Sequence, residues 1–181
     1  DYQTAMRFYF IQDKQDLVFD FSYSASLTLK KQIFSMLEAS LELDMSNKAY
    51  REQYLVPLKM LYLYCVKEQV RDMEQMELHQ AEGFRRYLEE NAGGKADSYS
   101  QILGRMRKFL FLNPAKTNWN ANVWYLDRFR LKGDRMNPAR KVGSFHFYLI
   151  QDPENRRLFQ LYMKYCIGIS SRSMNRIRAE Y

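Results

Sequence analysis

The alternation of apolar and polar positions changes period along this chain. Residues 7–10 and 18–21 alternate with a period of two (Phe8, Phe10; Val18-Phe19-Asp20-Phe21) around the polar run Gln12-Asp13-Lys14-Gln15-Asp16. That pattern predicts two short extended segments, together a hairpin. From Ser26 onward the period lengthens to that of a helix. Leu29, Ile33, Met36, Leu37 and Ser40 share one face of a helix over 26–43.

Ser46-Asn47 is an N-cap signal for a second helix reaching about Glu68, with Tyr54, Leu58, Leu61, Tyr62 and Cys65 on its apolar face. Pro57 falls inside it and should kink or split it, because proline removes a donor and clashes with the preceding turn. A third helix spans 73–90 through Leu78, Ala81, Phe84 and Leu88 and stops at Gly93-Gly94. A fourth starts at Asp97-Ser98 and runs to Leu112 through Ile102, Met106, Phe109 and Leu110, with Pro114 closing it.

Residues 114–144 lose this periodicity apart from 123–129 and read as an ordered connector with one short helix. Asp152-Pro153 then opens a fifth helix, an Asp cap followed by Pro in the first turn. It runs through Leu158, Leu161, Tyr162 and Tyr165 to Gly168. Sliding the chain by 126 positions lays Phe19-Asp20-Phe21 on Phe145-His146-Phe147, Lys30-Lys31 on Arg156-Arg157, Ile33 on Phe159, Leu37 on Met163 and Leu41 on Ile167. Chance agreement of two amphipathic patterns competes with a true repeat. A true repeat makes 145–181 the start of a second helical module. Together these elements predict an all-α fold, a bundle of four to five main helices with a short N-terminal β-hairpin.

Composition narrows the class. The chain has 181 residues, 46% of them apolar, with only 7 Gly and 4 Pro, so it can bury a core and is not disordered. Cys65 and Cys166 have neither metal nor redox spacing, and a charged, Cys-poor chain suits a reducing compartment. No signal peptide is present, and apolar runs such as 58–66 are too short to cross a bilayer. A cytoplasmic protein with no membrane association is expected. Both ends read as cuts through a larger protein: Asp1 replaces an initiator Met, and 170–181 opens a helix without an apolar face to finish it.

Charge is the strongest functional signal. Residues 1–94 hold 11 Lys/Arg and 15 Asp/Glu, whereas 95–181 hold 17 and 6. A one-sided positive field attracts a polyanion, and nucleic acid is the first candidate. On the fourth helix Arg105 and Lys108 share a face and Arg107 is displaced from it, while Ser98, Ser100 and Gln101 sit near its start. Asn47, Lys48 and Arg51 begin the second helix. The connector adds Lys116, Arg128, Arg130, Lys132, Arg135, Arg140 and Lys141, interleaved with Trp119, Trp124, Tyr125 and Phe129. Such cations reach phosphates; the aromatics suit anchoring on the core better than base stacking.

Catalysis finds little support. The two histidines, His79 and His146, lie in unrelated contexts, and His79 suits a solvated helix surface. Glu89-Glu90 are adjacent and point apart, unsuited to acid/base work. No zinc spacing, Gly-rich phosphate loop or nucleophile elbow is spelled.

Residues 22–113 resemble the core-binding domain of tyrosine recombinases, the phage-integrase family. The resemblance is carried by Tyr54-x3-Leu58-x2-Leu61-x2-Tyr64, by the Asp-containing turn and helix from Val70 to Leu88 with Phe84-x3-Leu88, and by the Ser-led helix from Ser98 to Leu112. Trp124-x-Leu126-x-Arg128, Asn137-Pro138 and Tyr162-Met163-Lys164-Tyr165 look like transposon-borne members. This implies a SAM-like helical module forming half of a clamp around a recombination site, its second and fourth helices facing the DNA grooves. Carried over, the contacts are Lys48, Arg51, Ser100, Gln101, Arg105 and Lys108, joined on charge grounds by Lys116, Arg140 and Lys141. The family's catalytic Arg, Lys, His-x-x-Arg box and nucleophilic Tyr are not matched: Glu82 and Leu149 stand three residues after the two histidines.

The expected organisation is an extended segment over 1–21, a SAM-like domain over 22–113, a basic and aromatic connector over 114–144 and an incomplete module over 145–181. Either 22–113 or a module starting near 145 is the core-binding unit. The expected function is the DNA-binding N-terminal part of a site-specific recombinase, non-catalytic, needing no metal or small-molecule cofactor, and self-associating on duplex DNA. The alternatives are a helical protein-interaction or oligomerisation module with a basic face, which the 10 methionines would suit, and single-strand or RNA binding through the Trp-rich connector.

Overall fold

In the computed structural model, residues 5–10, 15–131, 135, 143–169 and 174 are described. The elements are β1 (Ala5–Phe10), β2 (Gln15–Asp20), α1 (Leu27–Ser40), α2 (Asn47–Tyr50), α3 (Val56–Lys67), α4 (Leu78–Ala92), α5 (Ala96–Leu112), β3 (Val123–Tyr125), β4 (Ser144–His146) and α6 (Pro153–Gly168). The fold is therefore mostly helical but not all-α, since two short antiparallel strand pairs join the helices. The chain divides into two compact units, Asp1–Arg107 and Lys108–Tyr181, a boundary inside α5.

In the first unit β1 and β2 pair with Phe8 opposite Leu17 and Met6 opposite Phe19. Phe19 and Phe21 are buried at the strand exit, and the Tyr62 hydroxyl donates to the Asp20 carbonyl at 3.1 Å. The hairpin is thus part of the helical core and not a separate segment. Ser26 caps α1, its Oγ accepting from Leu29 N–H and donating to the Arg71 carbonyl. Leu29, Ile33, Met36 and Leu37 fill the core beneath.

The buried Gln32 amide fastens the α3–α4 connection to α1. Its Nε2 donates to Asp72 Oδ1 at 2.7 Å and its Oε1 accepts from Met73 N–H at 2.9 Å. A buried amide satisfied on both ends fixes a unique arrangement without leaving an orphaned polar group.

The helix expected over 47–68 is split. After α2 the backbone widens into a π-helical turn over Arg51–Leu55, and α3 then begins with Pro57 in its first turn. Proline is tolerated there because a first-turn N–H would have no helical partner. The helix expected over 73–90 also starts later. Met73–Gln75 is a 3-10 turn, and a reciprocal box between Glu77 and Gln80 caps α4. Gly93, at φ +53°, ends α4 as a glycine can.

The second unit is built on aromatics. β3 and β4 pair with Trp124 opposite Phe145, and both residues are buried with Phe147. Its core joins Phe111, Trp124, Leu126, Phe145, Phe147, Met163, Cys166, Ile167 and Met174, with Trp119 and Phe129 packed against it. Trp119 stacks on Phe129 at 5.2 Å and meets Trp124 edge-on at 5.0 Å. Residues expected to form an ordered connector with one short helix therefore hold a strand, a 3-10 turn (Leu126–Phe129) and half of a core.

Asp152 caps α6, accepting from Asn155 N–H at 2.7 Å. The buried side of α6 is Met163, Cys166 and Ile167. Leu158, Leu161 and Tyr165, expected inside, are 58%, 54% and 57% exposed. The helix carries apolar residues on two faces, and the smaller, sulfur-containing one is packed.

Candidate nucleic-acid interface

The residues expected to touch DNA divide between the two units. In the first unit, Lys48 is exposed in α2, which Ser46 caps through Ala49 N–H. Arg51 opens the π-helical turn, half-buried and engaged. α5 starts at Ala96, whose N–H bonds to the Gly93 carbonyl through the preceding 3-10 turn. Ser98 therefore lies within the first turn and does not cap it. The Ser100 hydroxyl donates to the Asp97 carbonyl at 2.7 Å, so its proton is already used within the helix. Gln101 is exposed.

α5 and the 3-10 turn before it meet the π-helical turn through fixed contacts. Lys95 pairs with Glu52 at 3.2 Å, and this hydrogen bond raises the Lys95 ammonium above its ordinary value. Arg105 Nη1 donates to the Gln53 carbonyl at 3.0 Å, and its guanidinium lies 4.9 Å from the Tyr54 ring centre. Arg107 is buried and donates to the Met76 carbonyl at 3.0 Å. These two guanidinium groups hold the fold.

In the second unit, Lys108 is exposed and pairs with Asp127 at 3.0 Å, and Lys116 is exposed beyond the helix end. Arg140 and Lys141, like Lys132, lie outside the described residues. Arg130 is exposed at φ +46°. Arg128 is structural. It donates to the carbonyls of Leu112 (2.7 Å), Pro114 (2.6 Å) and Ala115 (3.0 Å) and to Thr117 Oγ1 (3.1 Å). Arg135 similarly donates to Cys166 and Ile167 carbonyls at 2.6 and 2.9 Å at the end of α6. Arg156 reaches the Ile150 carbonyl at 2.9 Å. Five arginines thus satisfy backbone carbonyls, a use that neither spacing nor charge announces. The guanidinium fork at a helix C-terminus suits those orphaned acceptors.

A hydrogen-bonded side-chain series runs along β4 and the 3-10 turn after it. Ser144 Oγ is 2.9 Å from His146 Nε2, and His146 Nδ1 is 2.8 Å from Tyr148 Oη. The alternation Ser-x-His-x-Tyr is its only sequence signal, and the two hydroxyls fix the imidazole orientation. His79 is exposed beside an open groove whose lining includes Lys67, Arg86, Glu68 and Glu90. The opposed charges make that groove no anion site. Among the described residues no group of His, Cys, Asp and Glu is placed to hold a metal. Burial pushes the Cys65 thiol well above its ordinary value, so it is no nucleophile.

The charge division follows the compact units. Residues 108–181 hold 14 Lys/Arg against 5 Asp/Glu, whereas 1–107 hold 14 against 16. Among the described residues no helix is long and apolar enough to cross a membrane. No protein-family model, curated protein or solved structure matches this chain.

Proposed function

We propose that this chain is the DNA-binding N-terminal part of a site-specific recombinase of the tyrosine type, working on duplex DNA in the cytoplasm without catalysing strand exchange itself. The observation that carries this reading is the segregation of charge by compact unit, net +9 over 108–181 against −2 over 1–107. A cationic unit tethered to a weakly acidic one is drawn to a phosphate backbone through the cationic unit. Lys116, Arg130 and Lys108 supply exposed charge in the second unit, and Lys48 in the first, where Gln101 adds an exposed amide. Arg105 contributes its charge at a distance, with its Nη1 donating to Gln53 and its guanidinium over the Tyr54 ring.

The test is a fluorescence-anisotropy titration of the full chain on a duplex oligonucleotide over a salt series. Binding that weakens log-linearly with salt, and that exceeds binding to single strands of the same sequence, supports the proposal. No binding at low salt removes it. Preference for single strands transfers the function to single-stranded nucleic acid.

A further inference from the structure

The exposed side of α6 is a stripe. Leu158, Leu161, Tyr165 and Ile169 are 58%, 54%, 57% and 74% exposed, and their spacing sets them along one side of the helix over three turns. Single exposed apolar residues are ordinary, but a row of three large ones on one helix, continued by Ile169 at its C-cap, is not.

The first unit shows what a solvent-facing version of this helix looks like. α1 and α6 correspond at an offset of 126: Ser26 and Asp152 cap them, and Leu37 and Met163, like Ser40 and Cys166, are buried. At positions 161, 164 and 165 of α6, the exposed counterparts in α1 are Ser35, Glu38 and Ala39. Position 158 corresponds to Gln32, which the Asp72–Met73 turn covers. α6 therefore carries Leu, Lys and Tyr where the α1 surface is small or acidic, and Leu where α1 is covered.

We propose that this stripe docks an amphipathic helix of another polypeptide whose apolar seam is flanked by Asp and Glu. The charge along the stripe selects that occupant. Arg157 and Lys164, both exposed, border it, against the single acid Glu154 at its N-terminal end, and they belong to a unit of net +9. Antiparallel pairing with a second copy would line four cations along one rim and bring two such units together, a like-charge arrangement that opposes self-association. An acidic flank meets the same rim with opposite charge. Lys164 Nζ lies 5.0 Å from the Trp119 ring centre, on that rim of the helix.

The test uses the full chain and three labelled synthetic heptad peptides. One has a Leu seam flanked by Glu, one the same seam flanked by Lys, and one the first peptide's composition in scrambled order. The Glu-flanked peptide is expected to bind about tenfold or more tighter than the other two. Leu161→Ala with Tyr165→Ala is expected to cost that binding about tenfold, with helical circular dichroism and the affinity for duplex DNA unchanged.

Equal binding of the scrambled peptide, no binding of any peptide, or full binding by the double variant overturns the proposal. So does sedimentation showing a dimer that the double variant abolishes, which assigns the stripe to a second copy. A parallel loss of DNA affinity in the double variant assigns it to the DNA contact instead. Failure of the chain to bind DNA at all bears on the proposed function and leaves this test intact.

Discussion

The guanidinium of Arg105 donates to the carbonyl of Gln53 at 3.0 Å. Gln53 lies four residues before Pro57, so a regular helical ladder would leave its carbonyl without a donor. Arg105, on α5, supplies one across the packed elements and lies against Tyr54 as well. The split of the 47–67 helix and the orientation of this arginine are two halves of one arrangement.

Arg105→Ala is therefore expected to cost about 1 kcal/mol of stability, the scale of a half-exposed hydrogen bond from a charged donor. Pro57→Ala restores a backbone N–H, so Arg105→Ala should cost less in that background. A double-mutant cycle by urea denaturation measures the coupling. Additive losses would show that Arg105 and Pro57 act independently.

Arg128 makes a larger claim on its unit, because one guanidinium satisfies three carbonyls and a hydroxyl after α5. Arg128→Ala should destabilise the second unit by about 2–3 kcal/mol, and Arg128→Lys should recover little, since an ammonium lacks the planar fork. Both tryptophans of the chain, Trp119 and Trp124, lie in that unit, so their fluorescence follows its unfolding. A fluorescence transition unchanged in Arg128→Ala would contradict this role.

Local signals in the sequence were accurate where the physics is local. The caps at Ser26, Ser46 and Asp152, the stop at Gly93 and the span of α6 follow from orphaned backbone groups and a missing Cβ. The packed side of α6 was not legible. Leu158, Leu161 and Tyr165 have the stronger hydrophobic signature, and only the β3–β4 pair, formed across some twenty intervening residues, decides that Met163 and Cys166 turn inward. Charge, likewise, located the cationic unit, but a charge count cannot say which guanidinium ends on a carbonyl. Arg105 and Arg107 differ from Lys48 and Lys116 in what lies opposite them, and that is a tertiary property.

Gly83 sits in α4 where a Cβ would strike the Tyr64 hydroxyl, which donates to the Gln80 carbonyl at 2.7 Å. Glycine-to-alanine inside a helix ordinarily stabilises by about 1 kcal/mol. Here the sign reverses, and Gly83→Ala should cost about 1–3 kcal/mol through overpacking. Adding Tyr64→Phe removes the obstructing oxygen and should recover most of the loss on thermal denaturation. Stabilisation by Gly83→Ala alone would refute the close contact.

Alkaline pH should unfold the first unit through Tyr62. Burial, aided by the Asp20 charge, pushes its phenol up to about 12, and burial also raises Tyr50 and Tyr64. A raised native value means the unfolded chain loses its proton first. Stability is then full below pH 10 and falls as pH rises from 10 toward 12. Tyr62→Phe loses the hydrogen bond to Asp20, about 1 kcal/mol at neutral pH, but should show a shallower alkaline decline. Urea midpoints measured from pH 8 to 11.5 separate the two effects, and parallel curves for both proteins would exclude Tyr62 as the titrating group.

DNA binding, if the proposed function holds, should respond differently to three cations that a count treats alike, Lys116, Arg105 and Lys108. Lys116→Gln removes an exposed cation beyond the end of α5, and should lower the salt slope by about one. Arg105→Gln should change that slope little, because its guanidinium is directed at Gln53 and Tyr54. Asp127→Asn should act in the opposite direction. It releases Lys108 from a 3.0 Å ion pair and removes a charge that repels phosphate, so affinity should rise about two- to fivefold at low salt. Since the Lys108–Asp127 pair is exposed on both sides, its loss should leave thermal stability almost unchanged, and any gain in binding reads as electrostatics. An affinity that falls in Asp127→Asn would place the DNA contact away from this end of the second unit.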